Sequence, residues 1–237
     1  MRPSAVTMLL ALALPLTAGA EGQDPAVQED ALAPWDVASC KPGEWVKYEI
    51  DPGGGAAKRG YTLGCVAADA ETVWIETDLF VPAADAGTVM LLGAGTKDGK
   101  IREAFWGKPG GAGRAILILP AARVAEAPGT CTGSVAADTV KSKDTAFDCE
   151  KRELTSTMRL NGASLTAVKR IWVSKAVAFR YRGESERVAW EKKPTVDGGV
   201  VRVETEAGGL KTTVTLVDWG ADAKATLQRT EDDGGKK

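Results

Sequence analysis

The chain has 237 residues, 44% of them hydrophobic and 26% charged, with 30 Lys and Arg against 32 Asp and Glu for a formal net charge of −2. That length suits one larger domain or two small ones, and the near balance of charge argues against a nucleic-acid binder and against attraction to anionic lipid surfaces. No His occurs anywhere, which excludes Ser-His-Asp and Cys-His catalysis and removes the commonest transition-metal ligand.

In chain order, Arg2, the apolar run Met8 to Leu16 and Ala18-Gly19-Ala20 read as a secretory signal peptide over residues 1–20. That run is too short to span a bilayer, and no later stretch is apolar for long enough. No cysteine follows the cleavage site, which argues against a lipid anchor there. Glu21 to Pro34 is acidic and aperiodic, and is predicted to be a disordered leader. Trp35 to Pro42 is a lead-in loop. Trp45 to Ile50 alternates Val46, Tyr48 and Ile50 with polar residues, the period-2 pattern of a half-buried strand. Asp51 to Gly55 turns the chain into a second strand near Arg59 to Ala67. Thr72 to Val81 sets Val73, Ile75, Leu79 and Val81 on one face, with Trp74, Glu76, Asp78 and Phe80 on the other.

Thr88 to Leu92 and Ile101 to Trp106 form a predicted hairpin joined by Gly93 to Lys100. A glycine-rich loop, Gly107 to Gly113, a short strand at Ala115 to Leu119 and one or two helical turns at Pro120 to Glu126 follow. Val135 to Lys141 pairs with Phe147 onward through Ser142 to Thr145. Glu150 to Val173 is the clearest unit: Leu154, Met158 and Leu160 alternate with polar residues, and Asn161-Gly162 supplies a tight hairpin turn. Ala176 to Arg182 is a predicted strand carrying Val177, Phe179 and Tyr181, and Val200 to Glu206 and Leu210 to Trp219 flank Gly208-Gly209. Arg229 to Lys237 is predicted to fray. The expected architecture is mainly β: a single antiparallel meandering sheet, strongly curved as a half-barrel or sandwich, in one domain over residues 35–228.

Four cysteines in an exported chain point to two disulfides rather than a metal site, since no close-spaced pair such as C-x-x-C exists. Three pairings are open. A hairpin through Gly53-Gly54-Gly55 brings Cys65 near Glu44 and so within reach of Cys40, which leaves Cys131 with Cys149 by elimination.

Gly93 to Lys100 lacks the register of a phosphate loop, and no helix follows Gly107 to Gly113, so both read as hairpin loops. Glu76 and Asp78 share a strand face and are the candidate carboxylate pair for a hydrolase, against the simpler reading of solvated acids. Trp45, Trp74, Trp172 and Trp219 lie in strands, either gripping a ligand or filling the space between layers. Lys169, Arg170, Arg180 and Arg182 make a modest basic patch.

The run Asp138-Thr139-Val140, Ala146-Phe147-Asp148-Cys149, Arg170 to Val177, Gly198-Gly199-Val200-Val201 and Leu216 to Gly220 resembles secreted β-rich bacterial proteins related to the LolA/LolB-like half-barrels. The resemblance covers roughly residues 135–220 and implies a curved sheet that carries lipid or lipoprotein in the periplasm. It transfers no functional residue to a position here. The expected function is thus an exported, non-catalytic β domain with no cofactor. It binds an apolar ligand or an envelope protein, and the chain is expected to be a monomer. The alternatives are an envelope interaction protein without a ligand, and a hydrolase using Glu76 and Asp78.

Overall fold

The computed structural model describes residues 25–81, 85–121, 129–160, 163–182 and 188–229. The signal-peptide segment, the helical turns expected at 120–126 and the Asn161-Gly162 turn lie wholly or largely outside those residues. Leu160 still pairs with Ala163, so the hairpin register is the expected one.

The first half supplies β1 (Ala26–Gln28), β2 (Trp45–Asp51), β3 (Arg59–Ala68), β4 (Thr72–Thr77), β5 (Val89–Gly95), β6 (Ile101–Gly107), β7 (Ala112–Ala115) and β8 (Leu117–Leu119). The second supplies β9 (Gly129–Ser142), β10 (Thr145–Leu160), β11 (Ala163–Ser174), β12 (Ala189–Trp190), β13 (Gly199–Ala207), β14 (Leu210–Gly220) and β15 (Gln228–Arg229). Val37–Ser39 forms a single 3-10 turn between β1 and β2.

Thirteen strands form a single sheet in the order β12-β9-β10-β11-β13-β14-β2-β3-β4-β5-β6-β7-β15, and β1 and β8 form a separate two-stranded parallel pair. The sheet is two antiparallel runs, β2 to β7 and β9-β10-β11-β13-β14, joined where β14 lies antiparallel to β2 from Thr213 opposite Asp51 to Gly220 opposite Trp45, with β12 parallel to β9 at one end. It is curved and does not close into a barrel. So wide an open sheet has to curl, and register shifts at Cys65/Ala67, Gly93/Ala94, Trp172/Val173 and Leu216/Asp218 are where extra residues sharpen its bend.

The inner face carries the main core: Val46, Tyr48, Leu63, Ile75, Leu92, Leu154, Ile171, Val203 and Leu216 are all buried. The leader is not loose. From Ala26 it runs as β1 alongside β8, and Val27, Leu32, Trp35 and Val37 are buried in that core. The leader has no period because it crosses the sheet rather than lying in it. Likewise Ala176 to Arg182 is not a strand. It is a turning segment that makes only isolated bridges, Trp35 to Tyr181 and Arg180 to Gly199. Val177, Phe179 and Tyr181 are buried as expected, but on a crossing loop with Phe179 at φ 58°, a conformation uncommon for a bulky residue. Gly198 and Gly199 permit that crossing. A Cβ on Gly199 would sit 2.1 Å from the Ala178 carbonyl oxygen, and one on Gly198 2.1 Å from that of Ser174.

Over β4 to β6 the sheet is covered on both faces. Trp74, Leu91, Phe105 and Leu227 make a second, smaller core on the outer side. Gly93 lies beneath the Trp74 indole, where a Cβ would come within 2.8 Å of it. The tail is ordered as far as Arg229: β15 pairs in parallel with β7, and the Arg229 guanidinium stands 4.5 Å from the Trp74 ring centroid.

The two disulfides are corrected: Cys40, Cys65, Cys131 and Cys149 are all free thiols. Cys131 and Cys149 cannot meet, because the unbroken β9–β10 ladder puts Cys131 opposite Ser156 and Cys149 opposite Asp138, roughly 20 Å apart at the rise of a strand. The Cys131 thiol instead accepts from the Ser156 hydroxyl at 3.2 Å. Cys40 does approach Cys65, as the hairpin register implies, yet they remain separate thiols. Burial and then the neighbouring Cys65 raise the Cys40 thiol far above its ordinary range, and burial pushes Cys65 and Cys149 up to about 11. Such thiols are poor nucleophiles.

Candidate functional site

The residues that break the apolar pattern of the inner face lie side by side on β10 and β11. Glu150, Arg152, Leu154 and Ser156 occupy alternate positions of β10, so all four face the core, and all four are buried. Lys169, opposite Leu154 on β11, is 1% exposed. Burying charges is costly unless they are paired and hydrogen-bonded, so their partners define what the cluster does.

Glu150 is saturated. Its Oε2 accepts from the Thr195 amide at 2.8 Å, the Thr195 hydroxyl at 2.9 Å and the Val196 amide at 3.2 Å, while Oε1 accepts from Arg152 Nε at 3.1 Å. Burial alone would raise this carboxyl. The amide and hydroxyl donors of Thr195 and Val196, with Arg152, outweigh it and hold Glu150 below the ordinary carboxylate value. Arg152 Nη2 donates to the Val196 carbonyl at 2.6 Å, and its guanidinium stands 5.9 Å from the Tyr181 ring centroid. Lys169 Nζ lies 5.8 Å from the same centroid and 3.4 Å from the Tyr181 hydroxyl. The cluster is therefore a clamp. It fastens residues 195–196 and the Tyr181 loop onto the sheet.

The clamp borders a tightly filled part of the inner face. The cavity against it, lined among others by Trp35, Tyr48, Tyr61 and Tyr181, holds about 10 Å³, less than or about the space of one water. Tyr48 and Tyr61 stack at 5.2 Å, and the Tyr48 hydroxyl donates to the Val200 carbonyl at 3.0 Å. Burial raises both phenols well above their ordinary value.

Glu76 and Asp78 are not merely solvated, since each carboxylate accepts from backbone amides. Glu76 fixes the C-terminal segment on the outer face, accepting from the Thr226 amide at 2.8 Å, the Thr226 hydroxyl at 2.9 Å and the Leu227 amide at 2.9 Å. Asp78 accepts from the Thr62 amide at 2.6 Å. The basic patch also dissolves. Lys169 faces the core, Arg170 is on the outer face bonded to Glu153 at 2.6 Å and Glu206 at 2.9 Å, and Arg180 pairs with Asp197 at 2.8 Å. Arg182 approaches Asp36 at 3.9 Å.

The four strand tryptophans are likewise engaged. Trp74 and Trp172 are each 6% exposed. Lys151 and Arg202 flank the Trp172 ring, each at 5.6 Å, and its Nε1 donates to Asp138 at 2.8 Å. Trp45 Nε1 donates to Asp222 at 2.7 Å, and Trp219 meets Phe147 edge-on at 5.1 Å. Of the Gly93–Lys100 segment, Gly93 to Gly95 extend β5 and Thr96 to Lys100 make the hairpin connection, with Asp98 accepting from the Lys100 amide. Among the described residues, no group of three or more Cys, Asp or Glu side chains is arranged to hold a metal ion, and no helix is long and apolar enough to cross a membrane.

No family model matches this chain, and no curated protein matches it. Three solved structures show distant likeness. A provisionally named lipoprotein from Parabacteroides distasonis is 10% identical over 76% of this chain and 95% of its own, with a TM-score of 0.34. A provisionally named exported protein with a YmcC-like fold from Bacteroides fragilis is 9% identical over 76% of this chain and 96% of its own, at 0.30. A DUF1329 family protein from Desulfovibrio piger is 13% identical over 86% of this chain and 95% of its own, at 0.31. At these scores the description of the sheet rests on its own strand order.

Proposed function

We propose that this chain is an exported, non-catalytic β domain of the cell envelope whose task is protein interaction rather than carriage of an apolar ligand. The observation that carries this reading is the inner face. A lipid carrier of the half-barrel kind needs a cavity of several hundred Å³, whereas here the leader, the Tyr181 loop and residues 195–196 occupy that space. The Glu150–Arg152 clamp makes the filling part of the folded core rather than a loosely held lid. The N-terminal apolar run supports the exported location, and the lack of His supports the non-catalytic reading. Native mass spectrometry and solvent extraction of the protein purified from its own envelope test this. The expected result is the bare polypeptide mass with no co-purifying lipid and no uptake of an apolar dye. One equivalent of recovered lipid would contradict it.

A further inference from the structure

After β14 the chain leaves the sheet and runs as a strap, Ala221 to Arg229, over the outer face to β7. It passes Gly43, whose carbonyl accepts from the Ala223 amide at 2.7 Å, and reaches β4 at Glu76. Leu227 alone of the strap is buried. Its side chain enters a pocket walled by Trp74 on β4, Leu91 on β5 and Phe105 on β6. Gly107 and Gly113 complete the pocket: a Cβ on Gly107 would come within 2.8 Å of Leu227 Cδ1, and one on Gly113 within 2.9 Å of Cδ2. A glycine within a strand weakens it and marks the close approach of another segment.

The backbone of the strap is read as well. Glu76 takes the Thr226 amide, the Thr226 hydroxyl and the Leu227 amide. The Gly110 amide donates to the Thr226 carbonyl at 2.8 Å, and the Gln228 amide donates to the Gly111 carbonyl at 3.0 Å. Gln228 and Arg229 then add to β7 as a parallel strand, and Arg229 covers the Trp74 ring. Backbone bonds of this kind hold an extended segment, and side-chain pockets choose which one. The choosing features here are a hydroxyl, then a leucine, then a cation two positions on.

The walls do not depend on the strap. Their strands are paired with one another, Trp74 opposite Gly93 and Leu91 opposite Phe105. The strap, held by one buried side chain, is the part that opens at least cost.

We propose that this groove is a recognition site for an extended segment of another envelope protein, with Thr or Ser followed by Leu and, two positions later, Lys or Arg. The strap occupies it as a stand-in ligand, and its own contacts define the partner's chemistry. The proposal rests on the reading of the domain as a protein-interaction module and gives that module its surface. Tethering keeps the strap at high effective concentration, so a partner must displace it.

Fluorescence anisotropy of the full chain with a labelled peptide copied from Ala221 to Arg229 tests this. Leu227→Asp in the chain disables the strap, so the peptide should bind that variant roughly a hundredfold tighter than the wild type, which must first release its own segment. A Gly/Ser peptide keeping only Thr-Leu-Gln-Arg should also bind the variant, and the copied peptide carrying Leu227→Asp should not. Adding Glu76→Ala to the variant chain should weaken binding about tenfold. Should Leu227→Asp fold poorly, Leu227→Ala should give the same order with a smaller gap. No binding to a folded variant overturns the proposal, as does equal binding of the copied peptide with and without its leucine. Failure of the Gly/Ser peptide overturns it too, because the strap would then be a purely structural piece of this chain. A wild-type dimer that Leu227→Asp abolishes would assign the groove to a second copy's strap and equally overturn it. Recovery of bound lipid would instead refute the non-carrier reading and leave the groove standing, so the two failures are distinct.

Discussion

Glu150 and Glu76 make the same clasp on opposite faces of one sheet. Each accepts from a threonine amide, the same threonine's hydroxyl and the next amide, Thr195-Val196 on the inner face and Thr226-Leu227 on the outer. The surroundings differ. Glu150 is 6% exposed and has Arg152 beside it, whereas Glu76 lies at the rim of the smaller outer core with no cation bonded to it in the described structure. Equal hydrogen-bond geometry therefore carries unequal weight. A buried carboxylate depends on its counter-charge, while water reaches the half-buried one.

Breaking the inner clasp should have the largest effect. Glu150→Ala leaves Arg152 buried without its acid and orphans two amides, and is expected to cost about 3–5 kcal/mol in urea unfolding. Replacing both partners, Glu150→Leu with Arg152→Met, should recover most of that loss, because well-packed apolar residues replace a buried ion pair at little cost.

A pH series sharpens the comparison. The folded-state value of Glu150 is depressed below its ordinary 4.5. The unfolded chain therefore binds the proton more readily, and the stabilisation is present above that ordinary value and lost as pH falls through the depressed one. Glu150→Gln should flatten the acid limb of the stability curve. A slope remains, because Asp69, Asp98, Asp138 and Asp218 are depressed as well by their own hydrogen bonds. The outer clasp should matter least: Glu76→Ala is expected to cost about 1 kcal/mol and to leave the inner face closed.

The sheet was legible because its strands obey a period of two. Val46, Tyr48 and Ile50, and Val73 and Ile75, face the core as their alternation implies. The hairpin from Glu150 to Val173 has its expected register. What closes the sheet was not legible, because crossing segments carry no period. Leu32 sits in an acidic, aperiodic stretch whose composition reads as disorder, Trp35 begins the lead-in loop after it, and Phe179 mimics a strand while standing on a left-handed turn. Glu150 and Arg152 were hidden for a related reason. Alternation with Leu154 does put them on the inner face, but two charges there look like an error in the pattern until their partners, more than forty residues away, are seen. The disulfide expectation failed where register argues directly: β9 and β10 run side by side for their full length, and Cys131 and Cys149 lie near opposite ends of that ladder.

Amide hydrogen exchange at the two clasps tests the central claim, that the inner face is closed by the chain itself. The amides of Thr195 and Val196 should exchange only when the whole domain unfolds, whereas those of Thr226 and Leu227 should exchange earlier through local opening. Exchange at Thr195 and Val196 as fast as at Thr226 and Leu227 would mean that the inner covering lifts off readily, and would contradict the account.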